Sequence, residues 1–419
     1  MKLSTLAENL IPSEIVKIGS EIREMVRKGE KIYNFTVGDF DPSIFPIPEK
    51  LEEAIREAYQ HHYTNYPPPE GTLDLREAIH RFHLHRQGLN YNTEEILVAT
   101  GGRPLIYTIF QILCDPGDRI LFPVPSWNNN HYVQFVEGTP VIIPTTEAEN
   151  FMPTAERIAP FIENAVLLCL CSPQNPTGTT FRKDQLEAIC ELVLKENQRR
   201  RPEEKKLYVM YDQMYWQLTY DGINHYDPVN IRPEMRPYTI YVDAISKVFA
   251  ATGVRVGWSL GPAPIIQKMK ALLSHTGGWA PTAEQKAVAR YLDDKDDVDN
   301  YLTLFKAALR KRLTRIHEGI QWMKRDGLQI DSISPQAAIY LTLSINVRGK
   351  LTPEGKRLDT QQDVTSYLLQ NARIALVPFY AFGDDPSSSW YRLSVGTCKE
   401  GEIDTMLSSL GKALADLKA

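Results

Sequence analysis

The sequence predicts an α/β protein, with a large domain built on a mostly parallel, doubly wound sheet and a second, smaller α+β domain. Two observations carry this. Between residues 95 and 260, short apolar runs of strand length (96–99, 120–122, 141–143, 166–170, 207–211, 239–242 and 256–260) alternate with helical segments. Runs apolar throughout, rather than at every second residue, belong to strands covered on both faces, the condition of a parallel sheet flanked by helices. After residue 291 the texture changes to long helical periodicity (301–325), one strand and two further helices. A chain of 419 residues is long enough for both cores.

Taken in order, residues 14–28 read as a helix closed near Gly29, followed by a strand over 32–37 and a turn at Gly38, Asp39 and Pro42. Residues 51–59 are helical. YTNYPPPEG (63–71) then breaks regular structure, because three consecutive prolines withdraw backbone donors and force extended geometry. Residues 73–85 resume a helix with Leu75, Ile79 and Phe82 on one face, and His80, His83 and His85 are expected at solvent or an interface rather than on a metal. A helix over 105–113 follows the first buried strand. QRRRPEEKK (198–206) mixes both signs of charge with a proline and reads as a solvated helix end and loop. The later elements are a strand over 339–345, a helix over 364–370 and a closing helix over 403–417.

Composition narrows the function. With 47 basic against 52 acidic residues the formal charge is −5, which argues against nucleic acid or a membrane surface as the main partner. The five cysteines are odd in number and form no CxxC pair, as expected of free thiols in a reducing compartment. Cys169 and Cys171 are expected on the same side of a buried strand. The first residues lack the apolar core of a signal peptide and no stretch approaches membrane-spanning length, so the expected setting is soluble and cytoplasmic.

The chemistry is concentrated at strand ends. In VDAISKVFAATGVRVGW (242–258), Lys247 follows a β-rich run and Ser246, and Arg255 stands eight residues on. A lysine there suits a Schiff-base nucleophile if it is desolvated or lies near positive charge, and Arg255 suits a phosphate. Thr100-Gly101-Gly102-Arg103 joins a strand to a helix, where backbone N–H groups can approach a phosphate. SPQNPTG (172–178) follows a buried strand and holds Asn175 before a proline. Asp212 ends another strand, with Tyr215 three residues on. Each has a plainer reading alone: a glycine turn, a proline turn, a helix-capping aspartate.

Together, in this order along the chain, they resemble the pyridoxal-phosphate enzymes of the aspartate aminotransferase family, from Gly38 to Arg392. The resemblance implies a fold type I enzyme with a large domain over residues 46–299 and a small one formed by 1–45 and 300–419. It implies pyridoxal 5′-phosphate as cofactor, held on Lys247 as a Schiff base. Asp212 would keep the ring nitrogen protonated, and Tyr215 and Asn175 would hydrogen-bond the ring 3-oxygen. Gly101, Gly102, Arg103, Ser246 and Arg255 would form the phosphate cup, and Trp127 would stack on the ring. Tyr66 would reach the phosphate of a neighbouring subunit, making a homodimer with shared active sites. Gly38, Trp127, Asn175 and Arg392 would border the substrate, with Arg392 clamping its α-carboxylate.

The expected reaction is transfer of an amino group between an L-amino acid and a 2-oxo acid such as 2-oxoglutarate, with aspartate first and aromatic amino acids second. Trp127, Trp279, Phe379 and Tyr380 supply aromatic surface for a larger side chain, and Glu14, if it pointed inward, would repel a second carboxylate. Three places depart from the pattern: Ala244 where many members carry a serine, Gln213 and Met214 between Asp212 and Tyr215, and Gly-Gly-Trp at 277–279. Another pyridoxal-phosphate reaction on the same scaffold, such as a β-lyase or a cyclopropane-forming synthase, would use the same lysine, aspartate and arginine. A non-enzymatic effector-binding relative is the remaining alternative.

Overall fold

The computed structural model describes residues 2–10 and 14–418, without the side chains of 14–17. Its centre is a seven-stranded sheet. From edge to edge the strands are Ile96–Ala99, Gly257–Leu260, Thr239–Ala244, Tyr208–Asp212, Ala165–Cys171, Arg119–Val124 and Thr139–Pro144. All pairings are parallel except those of Gly257–Leu260, which runs against both neighbours. Six of the seven predicted cores are therefore parallel. The seventh is turned around: residues 245–256, which join it to Thr239–Ala244, hold one helical turn, Ile245–Val248, and no helix long enough to cross back over the sheet.

Helices cover both faces, so the central strands are buried throughout. One layer holds Glu49–Gln60, Leu73–Gln87 and Thr282–Asp293, packed on one another; the other holds Gly102–Leu113 and Ala263–Thr276. Cys169 and Cys171 do lie on the same side of their strand, bordering one small cavity.

The second sheet is antiparallel and four-stranded, in the order Val377–Pro378, Trp390–Ser394, Tyr340–Ile345 and Ile330–Ser332. Helix Lys295–Arg325 spans 31 residues, about 46 Å at 1.5 Å per residue. Its start is capped by Asp294, which accepts from the Asp297 N–H at 3.2 Å, with acids in the first turn and Lys324 and Arg325 in the last, complementing the helix dipole. Leu302, Phe305, Leu309, Leu313, Ile316, Ile320 and Met323 recur every three or four residues along its buried stripe. The core around this sheet and helix draws on Phe35–Phe45 as well as on the C-terminal third, so the two ends of the chain pack together.

Three expectations are corrected. The strand expected over 32–37 is only Tyr33–Asn34, pairing in parallel with Ile374–Ala375; the next residues run on beside strand Trp390–Ser394, where the Phe35 carbonyl accepts from the Ser394 N–H at 2.9 Å. His83 is not at solvent: it is 1% exposed, accepts from Trp258 Nε1 at 2.8 Å and bonds Gln87 Oε1 through Nδ1 at 2.6 Å. Within the run 198–206, Arg200 is buried against Glu196 at 2.8 Å instead of solvated.

Candidate active site

The predicted site residues gather where sheet chemistry places a ligand, outside the C-terminal ends of the parallel strands. Ile96–Ala99 delivers Thr100–Arg103, Arg119–Val124 delivers Trp127, Ala165–Cys171 delivers Asn175, Tyr208–Asp212 ends on Asp212, and Thr239–Ala244 leads to Ser246 and Lys247.

The glycines are set by close approach. Gly101 has φ +85°, a conformation that favours glycine, and a Cβ there would lie 2.4 Å from Arg255 Nη2. Arg255 donates to the carbonyls of Thr100 and Thr252, each at 2.8 Å, which pins its guanidinium beside the first turn of helix Gly102–Leu113. That turn leaves backbone N–H groups free to meet an anion next to a fixed cation. Ser246 is buried, and its hydroxyl has no hydrogen-bond partner among the described residues. The Arg103 guanidinium lies 4.8 Å from the centre of the Trp127 ring.

Lys247 donates to the carbonyl of Gly38. Burial holds its ammonium down to about 8; Asp39 opposes this, while Arg392, Arg103 and Arg255 add to it. Asp212 accepts from the Met214 N–H at 3.0 Å through one oxygen, and burial pushes it up to about 6 against that bond. It shares its small cavity with Trp127.

Arg392 lies in the small sheet and reaches into the same space. It donates to Asn175 Oδ1 at 3.0 Å and to the Thr36 carbonyl at 2.6 Å, while its buried Nε has no partner among the described residues. Gly38 is required here, since a Cβ would come 2.7 Å from Tyr340 Oη and 3.7 Å from Arg392 Nη1.

The sequence reading missed Tyr340. Its hydroxyl meets that of Tyr215 at 2.5 Å, and the Arg392 guanidinium lies 4.8 Å from its ring centre. The register pairs Tyr340 with Ser394 and Thr342 with Arg392, so Tyr340 and Arg392 share one face of the sheet. Asp39 was also missed as a charge: it accepts from Thr252 Oγ1 at 2.5 Å and is the acid that acts on Lys247.

Two sequence-predicted groups stand apart. Tyr66 is 82% exposed, edge-on to Trp279 at 5.4 Å between ring centres, and none of its described contacts is to Lys247 or Asp212. Phe379 is fully buried against Phe151 and Phe382, so it lines no substrate mouth. The side chain of Glu14 lies outside the described residues.

Residues 30–410 match the model of the family described as aminotransferase class I and II. The chain belongs to this family. It is an aminotransferase of fold type I. Among its relatives is an aspartate aminotransferase of Rhizobium meliloti (strain 1021), 31% identical over 96% of this chain and 93% of the relative. Another is an aspartate/prephenate aminotransferase of Thermus thermophilus, 30% identical over 98% of this chain and 99% of the relative. The fold superimposes on the crystal structure of an aspartate aminotransferase from Rhizobium meliloti with a TM-score of 0.90, at 28% identity and covering the whole of both chains. A Thermus thermophilus aspartate aminotransferase solved with maleate gives 0.87 at 27% identity, over 99% of this chain and 100% of that one. The family and the names of these relatives make amino-group transfer the reaction of this enzyme. Among the described residues no helix is long and apolar enough to cross a membrane, and no cluster of side chains suits a metal ion.

Proposed function

We propose that this aminotransferase carries pyridoxal 5′-phosphate on Lys247 and moves the amino group of an L-amino acid, aspartate first and aromatic amino acids second, to a 2-oxo acid such as 2-oxoglutarate. The observation that carries the reading is the buried amine of Lys247, bonded to the Gly38 carbonyl and subject to three guanidiniums, Arg392, Arg103 and Arg255, against the one carboxylate of Asp39. An anionic cofactor and an anionic substrate are what such a pocket is charged to receive.

The residues fit the cofactor. The Gly101 cradle against Arg255 has no room for a side chain, and with the first N–H groups of helix Gly102–Leu113 and the unpartnered Ser246 hydroxyl it suits a phosphate. The second oxygen of Asp212 has no hydrogen-bond partner among the described residues and suits a protonated ring nitrogen. When bound, the group supplies an electron-withdrawing ring that makes the substrate α-carbon acidic.

Everything else is the work of the chain. Asp212, once opposite a cation, ionises and holds the ring proton in place. Tyr215 and Asn175 would donate to the ring 3-oxygen, and Trp127 would pack against the ring. Lys247, with a proton affinity lowered towards neutrality, takes the proton from the α-carbon and returns it on the other side of the reaction. Arg392, held by Asn175 and Thr36, binds the α-carboxylate and fixes the substrate beside that amine. Ala244 makes the phosphate cup one hydroxyl poorer than in many members.

The same reading includes a homodimer with shared sites, the division into residues 46–299 and 1–45 with 300–419, and a cytoplasmic setting. A surface cleft of about 510 Å³ bordered by Tyr59, Tyr63, Tyr66 and Trp279 supports the dimer, because an aromatic patch around so exposed a tyrosine suits a protein partner.

The test is a donor screen: purified protein, pyridoxal phosphate and labelled 2-oxoglutarate are mixed with each amino acid in turn and glutamate formation is measured. Aspartate should lead, followed by tyrosine and phenylalanine. No glutamate from any of these would defeat the substrate assignment and leave the family untouched.

A further inference from the structure

A second cleft, of about 1010 Å³, lies between the end of helix Leu73–Gln87, the segment after Tyr215 and the first turns of helix Lys295–Arg325. It shares none of its lining with Lys247, Asp212, Arg255 or Arg392. Its polar groups are unbalanced in one direction. Both carboxylates on its wall already have a donor, Asp299 through one oxygen. Asp299 accepts from Arg86 Nη2 at 2.6 Å, and Asp227 accepts from the N–H groups of Val229 and Asn230, from the Asn230 amide and from the Tyr241 hydroxyl.

The donors are left over. Lys183 and Lys306 have neither ion pair nor hydrogen bond among the described residues, and Lys306 is half-buried, with desolvation lowering its ammonium. Gln217 is 8% exposed and its Nε2 has no partner, its oxygen being taken by Arg86 Nη1 at 3.4 Å. Both ring nitrogens of His225 are enclosed and unpartnered, and burial holds the ring down to about 3, so it is a neutral imidazole with one N–H to give. A buried donor without an acceptor is costly, and Lys183, exposed at the rim, adds a second unpaired ammonium to the same cleft. Trp216, Tyr226 and Leu302 give the same cleft apolar walls.

We infer that this cleft is a binding site for a small organic carboxylate, its anionic end on Lys306, Lys183 and the Gln217 amide and its apolar body against Trp216 and Leu302. The surplus of donors over free acceptors selects an anion, and the apolar walls select an organic one over an inorganic one. Residues 212–217 join the two sites: Asp212 and Tyr215 serve the active site, and Trp216 and Gln217, next along, line the cleft.

Calorimetric titration of the cofactor-loaded enzyme with 2-naphthoate, which has neither an amino nor a 2-oxo group, tests this. One saturable event per chain is expected, unchanged in Arg392→Ala and weakened about tenfold or more in both Lys306→Ala and Gln217→Leu, each removing one charge-assisted or neutral donor. Lys306→Ala should melt no lower than wild type, since that lysine holds no other group and its removal relieves an unpaired charge. No saturable event at millimolar probe would overturn the site. So would binding that survives both cleft variants and is lost in Arg392→Ala, which would place the probe in the active site.

Discussion

The hydroxyls of Tyr215 and Tyr340 share a hydrogen bond of 2.5 Å in a fully buried position, with the Arg392 guanidinium against the Tyr340 ring. Burial raises the proton affinity of both phenols, so both remain neutral and one hydrogen bridges them. Tyr340 thus fixes the direction in which Tyr215 can donate. Tyr340→Phe removes this partner while keeping the ring under Arg392. A drop in kcat of about tenfold is expected, corresponding to roughly 1.4 kcal/mol for one lost buried hydrogen bond, with a smaller change in KM. An unchanged kcat would make the pair structural only.

The depressed proton affinity of Lys247 sets a pH dependence in the chain without cofactor. An ammonium held to about 8 is protonated and unreactive below that pH and becomes a free amine above it. At pH 7 about one chain in ten carries the neutral amine, against roughly one in three thousand for an unperturbed lysine. Trinitrophenylation, followed by peptide mapping of Lys247, should therefore rise through a midpoint near 8, with surface lysines following more than two units higher. A midpoint at the ordinary lysine value would contradict the burial argument. In the loaded enzyme, borohydride should fix the pyridoxyl group on Lys247.

Asp212→Ala removes the carboxylate whose second oxygen, without a partner among the described residues, is proposed to meet the ring nitrogen. Its cost should appear in turnover rather than in cofactor content, because the phosphate cradle at Gly101 and Arg255 is untouched. Loss of a charge aimed at the reacting group typically costs about 100- to 1000-fold in kcat. Stoichiometric pyridoxal phosphate with kcat reduced in that range is expected; near-normal turnover would remove Asp212 from its role.

Much of the candidate site could be proposed from sequence because Gly101, Asn175, Asp212 and Lys247 each sit at or just past the end of a strand, and a strand end is a local signal. Lys247, Asp212, Asn175 and Gly101 each carry a distinctive neighbour, so the motif order could be read directly. Tyr340 carries none. Its strand was predicted, but which of its faces meets the site depends on pairing with residues 390–394, a register the local sequence does not hold. His83 failed for the same reason: its partner Trp258 is 175 residues away, so helical spacing alone could not distinguish a solvated histidine from a buried one. The reversed strand Gly257–Leu260 was likewise invisible, since direction follows from connection geometry and not from composition.

That buried histidine belongs to a network tying three elements together behind the catalytic segment. Trp216 Nε1 donates to Asp243 Oδ2 at 2.8 Å, the Ala244 N–H donates to Asp243 Oδ1 at 2.7 Å, and Gln87 and Gln213 exchange amide hydrogen bonds at 3.0 and 3.1 Å. Asp243→Ala would strand the indole N–H and open a cavity. A destabilisation of about 2–3 kcal/mol is expected in chemical denaturation, with the midpoint lowered and the slope unchanged. A midpoint within error of wild type would show that the network carries no net stability.

The exposure of Tyr66 leads to the last prediction. A tyrosine 82% exposed at the head of three prolines is rigidly displayed, and it touches none of the groups assigned to its own site. If it completes the phosphate cup of a partner, Tyr66→Phe and Lys247→Ala subunits are complementary: each hybrid dimer contains one site with both Lys247 and Tyr66 and one with neither. Random reassortment of equal amounts makes half the dimers hybrid, so about a quarter of the wild-type activity should return above the sum of the two parents. Were Tyr66 to act within its own chain, no hybrid would hold an intact site and mixing would add nothing. Sedimentation of the same mixtures at assay concentration checks the premise, since a fully active monomer would exclude sharing altogether.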